Sequence, residues 1–181
     1  MQKEFDLDVE LVHFPLHPET PDEGLSLATL FGTSEEQVSA AQRRMADLAA
    51  AEGLPWSERR MTYNSRRAQE LGAWAAEQGR GDAFHNAVYR AYFEDGRNIA
   101  HPRVLCDAAQ RAGLDRKAAE EVVSTRRYGA AVDADWLRSL QHGVRAVPTF
   151  TCSNRAIEGA VPYDVLRRFV LDAGAQSREG S

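Results

Sequence analysis

Residues 145–150, Arg-Ala-Val-Pro-Thr-Phe (RAVPTF), read as a short β-strand with a proline set inside it. Proline supplies no ladder donor, so an apolar segment that carries one is an edge strand, a bulge or a recognition element. Downstream the strand continues to Cys152, turns at Ser153-Asn154 and returns through Ala156-Ile157-Glu158, the pattern of a β-hairpin. The stretch PYDVLRRFVLDAG then predicts a closing helix, with Pro162 in its first turn and Gly174 beyond its end.

Upstream of the hairpin the pattern is helical for a long way. A capping box at Thr33 and Glu36 opens QVSAAQRRMADLAAA, and Asn64 or Ser65 caps a helix that buries Leu71, Trp74 and Ala75 and ends near Gly79. A third helix starts at Asp82 and carries a broad apolar stripe from Phe84 through Val88, Tyr89 and Tyr92 to Phe93. Pro102 starts a fourth, Gly113 stops it, LDRKAAEEVVS makes a fifth, and a sixth spans about Tyr128 to His142. At the other end, Phe5, Leu7, Val9 and Leu11 alternate with acids, and Val12 and Phe14 extend the apolar character, which predicts a strand leading into the proline-rich loop FPLHPETPDEG.

The order is therefore strand, helical block, hairpin, helix. Such an order is what an α/β fold would give, with a thioredoxin-like sheet built from residues 1–32 and 143–175, an all-helical insertion over 33–142, and a disordered tail at 176–181. Helix-rich α+β folds share that order.

Composition narrows the function classes. The chain has 181 residues and a formal charge of −5, with arginines scattered among acids as on solvated helix faces, so no nucleic-acid partner is expected. The N-terminal stretch MQKEFDLDVELV has no apolar run long enough for a leader or a membrane span, and two distant cysteines suit a reducing compartment, so the expected location is the cytoplasm.

Several stretches, taken together, resemble the DsbA-like thioredoxin-fold oxidoreductases, in particular the cytoplasmic FrnE-type branch. They are Phe14-Pro-Leu-His-Pro18, Asn64-Ser65, AAEQGRGDAFHNAVYRAYFEDGRNI, AGLD at 112–115, GVRAVPTF at 143–150 and IEGAVPYDVL at 157–166. The resemblance implies that Pro148 is a cis-proline and that Val147, Pro148 and Thr149 meet an extended thiol-bearing substrate as a β-type partner. It implies further contacts from His17, in the loop facing the family's redox centre, and from Asn64 and Ser65, matching an Asn-Ser/Thr pair near the pocket of glutathione-dependent relatives.

One departure matters. The family's Cys-x-x-Cys at a helix N-terminus, which supplies the attacking thiolate, has no counterpart in this sequence. By similarity, Met1-Gln-Lys corresponds to the end of the helix that follows that motif, so the motif and one central strand are expected to lie upstream or to be absent. Removing that strand leaves a gap of about 10 Å between its neighbours, to be met by a longer reading frame, by a strand from a second copy in a homodimer, or by closure of the sheet. The sequence thus predicts a thiol-disulfide oxidoreductase homologue that is redox-impaired or truncated, with no catalytic residue and no metal of its own. A redox-silent module binding a peptide or glutathione-like ligand at the Val147-Pro148 loop, or a glutathione-dependent isomerase, is the alternative. No cofactor is expected; glutathione enters only as a ligand.

Other candidates read as structural. Cys106 sits in the apolar pattern of the fourth helix, and Cys152 packs on the hairpin. His13 and His17 have a helical metal spacing, but they flank extended chain that holds them about 13 Å apart. His85, His101 and His142 read as solvent or capping residues.

Overall fold

The structure, a computed structural model, describes residues 1–178. It divides into two compact units, His17–Asp133 and the remainder, residues 1–16 with 134–178.

The larger unit is built mostly from helices whose ends carry readable signals. Helix α2 (Glu35–Ala51) is capped by Ser34, whose Oγ accepts from Gln37 N while the Gln37 side chain accepts from Ser34 N. The capping box thus lies one residue downstream of the expected Thr33–Glu36, because Ser34 carries the extended backbone that a cap needs. Helices α3 (Arg66–Glu77), α4 (Gly81–Tyr89), α5 (Pro102–Arg111) and α6 (Arg116–Thr125) follow the predicted pattern. His101 caps α5 by accepting the Arg103 N–H, and Asp115 caps α6 by accepting from Ala118 N. The core between them is Leu71, Trp74, Phe84, Leu105 and Val122, all nearly or fully buried.

Three local features differ from expectation. Residues 25–31, to which the sequence reading assigns no element, form a two-residue strand β1 (Leu25–Ser26) and a short helix α1 (Leu27–Phe31), framed by the Ser26 cap and a left-handed Gly32. β1 pairs antiparallel with β2 (Met61–Thr62). This close pairing needs glycine at 24: φ is +97°, and a Cβ there would meet the Tyr63 ring at 2.6 Å. The third difference concerns the aromatic stripe. α4 runs into a π-helical turn (Arg90–Glu94); Phe84, Val88 and Ala91 are buried, but Tyr89 is 51% exposed. At 3.6 residues per turn Tyr89 lies one residue round from Val88, and it stacks instead on His85, 4.3 Å between centroids.

The unit boundary falls within α7 (Gly129–Gln141). In the smaller unit, the run Phe5–Phe14 was expected to be a strand; it forms one antiparallel bridge at Phe5 and no ladder beyond it. A strand exists only through a hydrogen-bonded neighbour, and among the described residues none runs beside residues 7–14. Its fastenings are side chains of α7. His13 N and Nδ1 both reach Asp135 Oδ2 (3.1 and 2.7 Å), Ser139 Oγ donates to His13 O at 3.1 Å, and Arg138 forks onto Glu10. Val9 and Leu11, with no sheet to cover them, stay exposed.

The hairpin is present as β3 (Thr149–Cys152) and β4 (Arg155–Glu158), antiparallel, with Thr149 opposite Glu158 and Cys152 opposite Arg155. Helix α8 (Tyr163–Asp172) follows, with Pro162 one residue before the first turn, as N-cap. From α8, Tyr163 OH donates to Glu4 (2.6 Å), and the Arg167 guanidinium lies 5.7 Å from the Phe5 ring centroid. Of the tail expected to be disordered, residues 179–181 lie outside the described residues. Residues 176–178 are paired: Asp6 N donates to Gln176 O, Arg178 N donates to Glu4 O, and Ser177 bridges Phe5. The fully buried Phe5 ring anchors that strip, which is why it is ordered.

Candidate functional site: an open strand edge

The loop entering β3 is shaped by its own backbone. After α7 the chain turns through Gly143 in the left-handed region, Val144 N donates to Ser139 O at 3.0 Å, and Thr149 Oγ1 donates to Ala146 O at 2.6 Å. The Val147–Pro148 peptide bond is cis. Val147 is 45% exposed, and no main-chain hydrogen bond ties it to any described residue.

Hydrogen-bond parity then decides which way β3 faces. Gly159 N donates to Pro148 O at 2.8 Å, which sets Pro148, Phe150 and Cys152 in the sites that bond to β4. The N–H and C=O groups of the alternate residues, Thr149 and Thr151, therefore face the opposite edge. That edge has no partner among the described residues, since the sheet holds only β3 and β4. Thr151 is a contributor that sequence reading missed; only the register reveals it.

The expected site residues fall into two sets. Val147, Pro148 and Thr149 are together in the smaller unit, at the start of this edge. His17, Asn64 and Ser65 belong to the larger unit. There Asn64 is a staple: its Nδ2 donates to Pro18 O (3.1 Å) and Thr20 O (2.7 Å), and its Oδ1 accepts from Arg66 N (2.8 Å). Its polar groups are thus engaged in fixing the loop after His17. Ser65 precedes α3 without capping it and accepts from Gln69 Nε2. His17 has φ +51° and sets its ring edge-on to Phe31, with 6.1 Å between centroids.

The two thiols differ in setting. Cys106 is buried in α5, and desolvation, with the charges of Glu120 and Asp107 adding to it, pushes its pKa up. Cys152 is half-buried on β3, and neither is in a disulfide. Among the described residues no group of three or more acid, histidine or cysteine side chains could hold a metal, and no helix is long and apolar enough to cross a membrane.

A hairpin and closing helix, an all-helical insertion and an edge opening at Val147-Pro148 define a protein of the thioredoxin-like class. The family model for the DSBA-like thioredoxin domain matches residues 1–170, and the chain belongs to that family. Among solved structures, the chain is similar to a probable DsbA oxidoreductase from Streptomyces coelicolor, with a TM-score of 0.81 and 28% identity, covering 86% of this chain and 70% of that one. It is also similar to the uncharacterized protein YwbO of Bacillus subtilis, 28% identical over 104 residues. That match covers 55% of this chain and 50% of the relative, about half the relative's length. The α/β fold with a helical insertion is thus a DsbA-like one.

Proposed function

We propose that the chain recognises the thiol- and disulfide-bearing substrates of its family along the open edge of β3, and that these 181 residues do not carry out exchange themselves. The observation that carries the reading is the unpaired main chain of Val147, Thr149 and Thr151, an edge to which an extended peptide adds as a strand. The second half follows from the thiols: exchange needs an accessible thiolate and a resolving partner, and Cys106 and Cys152 stand in different units with no disulfide between them. His17, Asn64 and Ser65 stay in the proposal as a second set of ligand contacts, within the larger unit, with Asn64 also holding the loop after His17.

Glutathione, an extended tripeptide with a thiol, is the small-molecule form of the same ligand. A second copy pairing along the edge is the competing partner. The unpaired cysteines suit a reducing, cytoplasmic setting, and the sequence motifs support the FrnE-type branch.

The test is an anisotropy titration of the full chain with a labelled extended peptide containing one cysteine, beside the same peptide N-methylated at alternate amides. Saturable binding of the first and loss of binding for the second is expected; no saturation at millimolar protein defeats the edge reading. In a parallel insulin-reduction assay no turnover is expected. Turnover at the rate of an intact oxidoreductase would show that the chemistry resides in this chain after all.

A further inference from the structure

Away from that edge, the larger unit has a cleft of about 640 Å³ between α3, α5 and α6. Arg67, Arg103, Arg116 and Arg126 line it against a single wall carboxylate, Glu120, and its floor includes the buried Cys106 and Val123. We propose that this cleft is a binding site for a small organic oxyanion carrying two or more negative charges, a phosphate or a dicarboxylate.

Three of the guanidinium groups are held in place by ion pairs. Arg67 bonds Asp22 and Ala100 O through Nη1 alone. Arg116 reaches Asp107 through Nη1 at 2.7 Å and Glu120 through Nε at 3.1 Å, and Arg126 reaches Glu70 through Nε and Nη2. Each therefore keeps N–H donors that no described group accepts: Nε and Nη2 of Arg67, Nη2 of Arg116 and Nη1 of Arg126. A guanidinium whose orientation is already fixed loses less freedom on meeting an anion.

Arg103 is the free cation of the set: exposed, and in no ion pair among the described residues. Its own N–H donates to His101 Nδ1 at 3.2 Å, so the neutral imidazole carries its proton on Nε2 and adds a donor. The first-turn amides of α5 at Val104 and Leu105 are already taken by His101 O. The arginines and the positive end of the helix dipole, rather than an amide nest, therefore carry the site. Glu120 at the wall disfavours a monoanion, which would gain little beyond Arg103; a dianion can span Arg103 and the pinned arginines together. The apolar floor suits the carbon body of an organic ligand.

The test is calorimetric titration of the full chain at low ionic strength with sodium pyrophosphate and with succinate, against sodium chloride of matched ionic strength. Saturable binding with a Kd below about 1 mM is expected for at least one of these multiply charged probes. Pyrophosphate alone would assign a phosphate ligand, succinate alone a dicarboxylate. Arg103→Ala should weaken binding about ten-fold or more, with the circular dichroism and thermal midpoint unchanged because it breaks no ion pair. Arg43→Ala, on α2 and outside the cleft, should bind as the parent does. The proposal is overturned if neither probe saturates, if chloride gives the same heat, if Arg103→Ala binds like the parent, or if Arg43→Ala weakens binding equally.

Discussion

Arg126 donates to both carboxylate oxygens of Glu70, which is 3% exposed and lies 56 residues earlier in the chain. Arg66 adds a bond to Glu70 Oε1 at 2.7 Å, so the loop after α6 is fastened to α3 through one buried charge. Glu70→Gln should destabilise the chain by roughly 1–3 kcal/mol, since the charge that two guanidinium groups bond is lost while Arg66 keeps its pair with Asp133 and Arg126 remains open to water. Urea denaturation of both proteins measures it; a loss under about 1 kcal/mol would mean the arginines find other acceptors.

The pH dependence follows from the same kind of contact. Burial raises the pKa of Glu70, but the bonds from Arg126 and Arg66 outweigh it, and the net direction is down. Bonds from Arg97 and Arg116 lower Asp107 to about 2. A carboxylate depressed in the folded state contributes stability that is complete above its unfolded pKa and lost as pH falls through the folded one. For Asp107 that window runs from about pH 4 down to about 2. Stability should therefore decline on acidification through this range, and Asp107→Asn should flatten part of the slope in a denaturation series.

Thiol accessibility separates the two cysteines. Cys106 is 2% exposed and its thiolate is disfavoured by burial, while Cys152 is half-buried on β3. A maleimide at neutral pH should label Cys152 alone in the native protein, and both after unfolding. Prompt native labelling at Cys106, read by peptide mass, would contradict the packing of α5.

Packing sets the last expectation. Leu105 is fully buried in the helical core, and Leu105→Ala should cost about 2–5 kcal/mol. Leu140, on α7, is 62% exposed, and Leu140→Ala should stay within about 0.5 kcal/mol. Equal effects in thermal or chemical unfolding would show that Leu140 is covered in solution.

Local chemistry was legible where it acts over a few residues. The start of α5, the turn at Ser153-Asn154 and the burial of Trp74, Phe84 and Cys106 all follow from spacing and turn residues. Resemblance of the quoted motifs carried the family, which residues 1–170 match. The alternating run from Phe5 to Phe14 shows where such reading stops. Alternation states which side chains want one face, but a strand also needs a neighbour to take its backbone bonds, and here α7 side chains take the contacts instead.

By itself, then, the sequence determined the helices from α2 to α8, the hairpin and the absence of a Cys-x-x-Cys within these residues, because caps, turn residues and residue identity are local properties. Only the tertiary structure decided that Thr149 and Thr151 share an open edge, that Asn64 is bound up in its own loop, and that four distant arginines line one cleft. Those facts depend on which main-chain and side-chain groups have already found partners, and partners far apart in the chain are set by packing rather than by spacing.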